Sequence, residues 1–115
     1  MLGIDLIEIK RIKRLIQNKK FLQRIFSREE IIYCDKKKNK HQHYAARFAA
    51  KESVLKALSG KYKIALKNIV VKNLDNGKPK IILKNLKIKS LRRIKIEVSL
   101  SHTKEYAVAV AMIKK

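Results

Sequence analysis

The sequence predicts an α+β fold in which one long central helix packs on an antiparallel sheet. An alanine-rich stretch with helical periodicity occupies the middle of the chain, at residues 44–58. Alternating apolar stretches typical of strands precede it at residues 2–8 and follow it after residue 69. The later strands are consecutive, which favours an antiparallel meander. The length of 115 residues suits a single domain, residues 1–115, with one modest core.

The N-terminal half begins with the strand at residues 2–8 and continues as short helices. From Ile9 to Ile16 apolar residues recur at helical spacing, with lysines and arginines between them, which predicts a basic N-terminal helix. FLQRIF (21–26) is a second helical piece. Ser27 and Glu30 resemble a capping box for a helix over 28–35. The stretch CDKKKNKHQH predicts a solvated connection, followed by the long helix from Tyr44 to Leu58 with a stop at Gly60.

The second half reads as strands. IVVKNL (69–74) and KIIL (80–83) flank DNGKP, where Asn76-Gly77 predicts a hairpin and Pro79 suits the start of an edge strand. Residues 94–101 alternate between apolar and polar, and 106–113 predict a buried closing strand. The segment SHTKE connects these last two strands.

The composition is strongly basic, with 30 Lys and Arg against 9 Asp and Glu and a net charge of +21. Such a chain attracts polyanions: nucleic acid, an anionic membrane or an acidic protein. A general bias toward Lys and Ile inflates this charge. No apolar run is long enough to span a bilayer, and Asp5 and Glu8 interrupt the N-terminal segment, so we expect a cytoplasmic protein. The single cysteine, Cys34, has no CxxC partner and is expected to be structural.

The charged residues of the long helix fall on different faces. Small residues share one side of the helical wheel: Ala46, Ala49, Ala50, Ser53 and Ala57. Glu52 shares a stripe with Phe48, Lys56 and Ser59, whereas Arg47 and Lys51 form another. Lys51 and Glu52 therefore do not face each other. Glu52 and Lys56 can pair, and taken alone that pair is an ordinary surface salt bridge.

Asp5 interrupts an apolar strand, and a buried carboxylate requires a partner. If the helix packs on that strand, Asp5 and Glu52 converge. Two carboxylates with open coordination positions suit Mg²⁺, and the nearby cations Arg47, Lys51 and Lys56 suit phosphate oxygens. The alternative is a buried aspartate satisfied by backbone N–H groups.

The three histidines give weaker signals. A histidine in a turn, such as His102, is commonly structural, although its neighbours Ser101 and Thr103 make the turn suitable for phosphate. His41 and His43 are expected to be solvated, because a zinc site requires further ligands. The glycine-rich motifs of common nucleotide-binding folds are absent from the sequence.

Taken together, GIDLIEIKRI, FLQRIFSREE, ARFAAKESVLKAL, NGKP and SLSHTKEYAVAVAM resemble the holo-[acyl-carrier-protein] synthases, the small bacterial 4'-phosphopantetheinyl transferases. The resemblance runs from Gly3 to Met112 and implies the 4'-phosphopantetheinyl transferase fold. It also implies transfer of the 4'-phosphopantetheine arm of coenzyme A to a serine of apo acyl carrier protein, with Mg²⁺. Adenosine 3',5'-bisphosphate is released, and the product serves fatty acid biosynthesis.

The resemblance also implies roles for individual residues. Asp5 and Glu52 match the metal ligands, and Lys56 matches a lysine that reaches the phosphate under attack. Further positions match the coenzyme A site: Arg47, Lys51, Gly77, Lys78, Pro79, Ser101, His102 and Thr103. The catalytic group comprises Glu52, Lys56 and His102. The base that takes the serine proton stays open between Glu52, Asp5 through a water on the metal, and His102.

The implied partners are coenzyme A, an acidic acyl carrier protein and two further copies of the chain. The family is a homotrimer with active sites at subunit interfaces, and residues 106–113 are a candidate contact. The carrier protein docks on the basic first helix, with Arg11 as the recurrent contact and Arg14, Lys20 and Arg24 as supplements. One departure is the turn after the long helix, LSGKYKIAL, whose single glycine puts the adenine-end contacts in doubt.

Two readings compete with the transferase. A small basic nucleic-acid-binding protein would explain the charge, but the aromatic residues are scattered and form no stacking platform. That reading also leaves Asp5 and Glu52 unexplained. The second competing interpretation is an interaction module that docks an acidic partner and catalyses no reaction. We expect neither nucleic acid nor a membrane as a partner.

Overall fold

The structure is a computed structural model and describes residues 1–85 and 87–114. Its helices are α1 (Ile9–Leu15), α2 (Lys19–Ile25), α3 (Arg28–Asp35) and α4 (Lys40–Ala57). Its strands are β1 (Leu2–Glu8), β2 (Ile69–Asn73), β3 (Pro79–Leu83), β4 (Lys95–His102) and β5 (Tyr106–Lys114). Short 3-10 turns cover Leu66–Asn68 and Lys89–Arg93. The predicted α+β class is confirmed.

The strands form two separate antiparallel units in the described part of the chain. β1, β5 and β4 make a three-stranded sheet in that order, and β2 and β3 make a hairpin. The predicted continuous meander is therefore wrong. The link from β3 to β4 includes the 3-10 turn at Lys89–Arg93, which buries Leu91 in the core rather than continuing the ladder. β5, the predicted buried closing strand, is the central strand of the sheet, with Ala109 opposite both Asp5 and Leu100.

Helix α4 lies directly on the three-stranded sheet. The predicted small-residue stripe is buried, and a side chain on Gly3 of β1 would come within 2.0 Å of the Ser53 carbonyl oxygen and 2.5 Å of the Ala57 nitrogen. Strand and helix backbones thus approach too closely for any residue but glycine at this point. This contact fixes the inner face of β1, which carries Asp5, against α4.

The helix ends agree with the sequence signals at α3 and differ at α4. The capping box of α3 is present: Glu30 N–H donates to Ser27 Oγ (3.2 Å), and Ser27 N–H donates to Glu30 Oε1 (2.9 Å). α4 begins at Lys40, four residues before the predicted start. Residues 40–43 include neither glycine nor proline, so they continue the helix as the first turn of α4. Beyond Ala57 the chain reverses through Ser59 and Gly60, both with positive φ (55° and 67°).

Within residues 1–85 and 87–114, no helix is both long enough and apolar enough to cross a bilayer.

Candidate active site

A strand and a helix bring two carboxylates together. Asp5 lies on the inner face of β1, and its side chain is 15% exposed. Glu52 is half-buried on α4. Burial, followed by the charge of Asp5, raises the pKa of Glu52, while Lys56 and Arg11 oppose that shift. The carboxylates of Asp5 and Glu52 are therefore electrostatic neighbours, as the packing argument predicted.

Lys56 belongs to the same cluster, with a different partner from the one expected. Its Nζ donates to Asp5 Oδ1 (3.1 Å) and to the carbonyl oxygen of Ile4 (3.1 Å). The predicted pairing of Glu52 with Lys56 along the helix is replaced by a pairing between helix and strand. Because the Lys56 side chain is 56% exposed, its ammonium can still reach an incoming phosphate.

The carboxylate pair fits a magnesium ion. Carboxylate oxygens are the donors Mg²⁺ prefers, and Mg²⁺ commonly takes one or two from protein and fills its shell with water and substrate phosphate. Among the described residues no cluster of three or more His, Cys, Asp or Glu is arranged as a metal site. Asp5 and Glu52 would thus supply two ligands and leave the other positions open. A cation held by both carboxylates would also offset the charge of Asp5, which after burial is the second cause that raises the pKa of Glu52.

Lys51 is not part of this cluster. It is completely buried, and its Nζ donates to Glu30 Oε1 (2.6 Å), the Ile69 carbonyl (2.7 Å) and the Leu66 carbonyl (2.9 Å). These bonds use all three ammonium hydrogens. Burial lowers the pKa of Lys51, and the Glu30 carboxylate opposes that shift. The expectation that Lys51 contacts coenzyme A is not met, because its ammonium is buried and already bonded to three acceptors inside the protein.

A separate cleft of about 500 Å³ lies between α3, α4, the hairpin and β4. Five predicted cofactor residues line it: Arg47, Gly77, Lys78, Pro79 and His102. The hairpin forms one wall of the cleft through its predicted turn, which spans residues 74–78 with Gly77 at φ +84°. The Asn76 side chain accepts from Lys78 N–H (3.0 Å) and fixes this turn.

Arg47 contributes a fixed positive charge to the cleft. It is 3% exposed; its Nη2 donates to Asn73 Oδ1 (2.6 Å), and its guanidinium carbon lies 4.1 Å from the centre of the Tyr33 ring. Its buried Nε has no hydrogen-bond partner within the described chain. No carboxylate among the described residues pairs with it. An oxyanion would complete this environment.

Several lining residues escaped the sequence analysis, including Tyr33, Gln42, His43 and Asn73. His43 was expected to be solvated, yet it is half-buried and its ring meets the Tyr33 ring edge to face at 5.9 Å. Its spacing of four residues from Arg47 puts both on one helix face. Had the helix been predicted to start before Tyr44, this spacing would have placed His43 beside Arg47 as a candidate site residue.

The three residues of the SHT segment, Ser101 to Thr103, have different surroundings in the structure. His102 lines the cleft, but Ser101 and Thr103 do not. Ser101 is exposed on the outer face of the sheet, opposite Val108. Thr103 Oγ1 accepts from Glu105 N–H (3.2 Å) and Tyr106 N–H (3.1 Å), which closes the turn from β4 to β5. Within one chain, Thr103 therefore has a structural role.

The basic N-terminal surface adjoins the carboxylate pair. Ile12 is fully buried, while Arg11 and Arg14 on the opposite side of α1 are exposed, as are Lys20 and Arg24 on α2. Arg11 is close enough to Glu52 to lower its pKa. α1 contains no acidic residue.

The outer face of the sheet is apolar and exposed. Ile4 and Leu6 of β1 are each 63% exposed, Leu2 is 70% exposed, and Val110 of β5 is 38% exposed. These side chains are neighbours on one face of the sheet, because β1 and β5 are adjacent strands and Ile4 is opposite Val110. Such an area on a small protein is typical of a subunit interface.

Cys34 is buried, and burial raises the pKa of its thiol to about 12. The thiol stays protonated at neutral pH, in agreement with the structural role predicted for it.

Comparison with known proteins identifies the family. The model of the 4'-phosphopantetheinyl transferase superfamily matches residues 1–111. A holo-[acyl-carrier-protein] synthase of Thermodesulfovibrio yellowstonii is 40% identical over 113 residues, covering 96% of this chain and 95% of that protein.

Two crystal structures agree with that match. The Helicobacter pylori holo-[acyl-carrier-protein] synthase in complex with coenzyme A has a TM-score of 0.86 at 30% identity, covering 99% of this chain and 100% of that one. The synthase of Bacillus anthracis in complex with CoA (3',5'-ADP) has a TM-score of 0.80 at 34% identity, covering 97% and 93%. The chain therefore belongs to the 4'-phosphopantetheinyl transferase superfamily, within its holo-[acyl-carrier-protein] synthase family, and is an enzyme of that family.

Proposed function

We propose that this protein transfers the 4'-phosphopantetheine group of coenzyme A to a serine of apo acyl carrier protein. The reaction depends on Mg²⁺, releases adenosine 3',5'-bisphosphate and serves fatty acid biosynthesis in the cytoplasm. The whole chain acts as one domain, which is supported by the one hydrophobic core that residues 1–85 and 87–114 share. The observation that carries the proposal is the meeting of Asp5, Glu52 and Lys56 between β1 and α4 in a member of this family.

The chemistry is attack of a serine oxygen on the β-phosphorus of coenzyme A, with the adenosine bisphosphate as the leaving group. Catalysis of such a transfer consists mainly of positioning and of neutralising charge on the phosphoryl oxygens. A bound Mg²⁺ supplies Lewis-acid neutralisation of the diphosphate, and Asp5 and Glu52 are the residues that would hold it.

Lys56 supplies the second positive charge. Its ammonium lies beside Asp5 and remains accessible, so it can turn from the carboxylate to a phosphoryl oxygen. Within one chain the groups beside Lys56 able to take the serine proton are Asp5 and Glu52, whereas His102 stands in the cleft. All three proton acceptors remain part of the proposal, since His102 can serve a neighbouring subunit.

The cleft between α4, the hairpin and β4 is the proposed site for the nucleotide part of coenzyme A. Its volume of about 500 Å³, its cations Arg47 and Lys78 and the imidazole of His102 suit a ligand with three phosphate groups. The Helicobacter pylori relative is in complex with coenzyme A, which supports coenzyme A as the ligand of this chain.

The acidic carrier protein is proposed to dock on the exposed cations of α1 and α2. This surface adjoins Glu52 through Arg11, so a bound carrier would bring its serine toward the carboxylate pair. Three chains are proposed to associate through the apolar outer face of the sheet around Ile4 and Val110. Ser101 lies on this face and would then meet a neighbouring subunit.

Mass spectrometry of the acceptor tests the reaction. The protein is incubated with coenzyme A, Mg²⁺ and an apo acyl carrier protein; we expect the carrier to gain the mass of one phosphopantetheine. Glu52→Gln should abolish the gain, whereas Glu29→Gln, which removes a carboxylate from an exposed pair with Lys84, should not. No gain with several carrier proteins would refute the transferase. Salt-sensitive RNA binding without any gain would favour the nucleic-acid-binding alternative.

Two physical measurements test the metal and the assembly. Isothermal titration with Mg²⁺ and adenosine 3',5'-bisphosphate should give metal binding that Asp5→Asn and Glu52→Gln each weaken by at least roughly tenfold, while Glu29→Gln leaves it unchanged. Light scattering should give a trimer, which Ile4→Lys dissociates because it places a charge in an apolar interface. A monomeric wild-type protein would contradict the assembly.

A further inference from the structure

His43 is the one histidine of the cleft that neither the sequence motifs nor the proposed reaction uses, among the residues described. It lines the cleft on α4, one helical turn before Arg47, and its ring packs edge to face on Tyr33 at 5.9 Å. The half-buried ring is held in the cleft wall rather than extended into solvent. An imidazole fixed in this way can donate a hydrogen bond to a ligand without first losing side-chain freedom.

The groups around His43 include three positively charged side chains. Arg47 follows it on α4, and Lys37, just after α3, lies with its Nζ 4.7 Å from the Tyr33 ring centre. His102 faces it from β4, and Lys78 stands on the hairpin wall. No acidic residue lines this cleft in the described chain. The surroundings of His43 therefore favour an anionic ligand and disfavour a second positive charge.

We propose that His43, together with Arg47 and His102, forms a proton-linked phosphate site, in which binding of a phosphate group of coenzyme A places a proton on the His43 imidazole. The proton comes from the buffer, and the imidazolium then donates to a phosphate oxygen. This inference rests on the proposed function, because the phosphate belongs to the proposed substrate.

The protonation states support this sequence of events. Burial, followed by the charges of Arg47, Lys37 and His102, lowers the pKa of His43, so the ring is neutral in the free enzyme at neutral pH. A phosphate dianion adds negative charge to the same cluster and reverses the electrostatic part of that shift. Release of adenosine 3',5'-bisphosphate would return the proton to solvent.

Isothermal titration in buffers of different ionisation enthalpy measures the protons taken up when coenzyme A binds. At pH 7 we expect wild type to take up a substantial fraction of a proton. Uptake of half a proton corresponds to affinity that strengthens about threefold for each pH unit of acidification. His43→Gln keeps a hydrogen-bond donor but cannot titrate, and should lose most of this uptake.

His41→Gln is the matched control. His41 lies two residues earlier on α4, also has its pKa lowered by burial, and does not line the cleft. It should retain the wild-type uptake. His102→Gln measures how much of the proton uptake belongs to the other histidine of the cleft. Unchanged proton uptake in His43→Gln would overturn the inference.

One further ligand locates the phosphate. Dephospho-coenzyme A lacks the 3'-phosphate, so loss of uptake with this ligand assigns the site to the 3'-phosphate, and retained uptake assigns it to the diphosphate. Failure of wild type to bind coenzyme A at any pH would refute the proposed function as well. Binding with the same proton count in His43→Gln would refute the His43 site alone.

NMR of the wild-type protein gives a test that does not depend on the folding of a variant. The titration midpoint of the His43 ring should rise on addition of adenosine 3',5'-bisphosphate, while that of His41 should not. A His43 midpoint that stays constant would contradict the proposal.

Discussion

Lys51 Nζ lies 2.6 Å from Glu30 Oε1, and both side chains are at most 1% exposed. The pair is fully hydrogen-bonded: Glu30 also accepts from the backbone N–H groups of Ser27 and Val71 (2.9 and 3.0 Å). Lys51 donates to two further carbonyls, one of them at the start of β2. One buried ion pair thus connects α3, α4 and the hairpin that forms a wall of the cleft.

Replacing Lys51 by Met is expected to destabilise the protein strongly. The change leaves the Glu30 carboxylate buried without its counterion, which costs about 3 to 5 kcal/mol in comparable cases. Urea denaturation at one fixed protein concentration measures the free energy of unfolding. Lys84→Met, which breaks the exposed pair with Glu29, is the matched control and should cause little change.

The double variant Lys51→Met/Glu30→Gln distinguishes an unpaired charge from lost packing. Removing both charges should recover part of the stability that Lys51→Met loses, because no carboxylate then remains buried alone. If the double variant is as unstable as the sum of the two single variants, the ion pair is not the cause.

Gly3→Ala is expected to push β1 away from α4. The new methyl group would meet two backbone atoms of α4, at 2.0 and 2.5 Å, and backbone atoms cannot turn aside. Overpacking of this kind costs about 1 to 3 kcal/mol or more, and it also displaces Asp5 from Glu52. We expect lower thermal stability together with weaker Mg²⁺ binding.

Gly60→Ala provides the control for this substitution. Its φ of +67° makes alanine strained, but nothing lies within 4 Å of the added methyl group. A loss of about 1 kcal/mol with unchanged Mg²⁺ binding is expected. Equal effects of the two substitutions on Mg²⁺ binding would contradict the role assigned to Gly3.

Reversal of charge on α1 is expected to weaken carrier-protein docking without slowing the chemistry. Arg14→Glu should raise the KM for acyl carrier protein roughly tenfold and leave kcat nearly unchanged, because it alters encounter rather than the reacting groups. The effect should shrink with added salt, since exposed charges are screened. Lys87→Glu, an exposed reversal outside α1 and α2, is the control, and an equal rise there would indicate general charge attraction instead.

Acid is expected to destabilise the fold through the two helix histidines. Burial is the first cause that lowers the pKa of both His41 and His43, so the folded state binds fewer protons than the unfolded chain. Their contribution is fully present above the unfolded pKa of about 6.5 and is lost as the pH falls through the lower folded values. The urea midpoint should therefore drop less between pH 7.5 and 5.5 in His43→Gln than in wild type. An equal drop would show that His43 does not titrate with unfolding.

The sequence by itself determined the parts of the fold that depend on local spacing. The small-residue stripe of α4, the capping box at Ser27 and the turn around Gly77 follow from side-chain periodicity and backbone preference, which act over a few residues. The meeting of Asp5 and Glu52 was also predictable. A carboxylate in an apolar strand requires a partner, and the stripe indicated which helix would approach.

Tertiary structure decided which partner each charged side chain obtained. Lys51 and Lys56 were both expected to serve phosphate oxygens, yet Lys51 is buried against Glu30, 21 residues away, and Lys56 reaches from α4 to Asp5 on β1. The same holds for His43, whose place in the cleft depends on Tyr33 and on how far α4 extends. The physical reason is desolvation: a buried charge is tolerated only where packed elements supply acceptors together, and no periodicity within one segment encodes that arrangement.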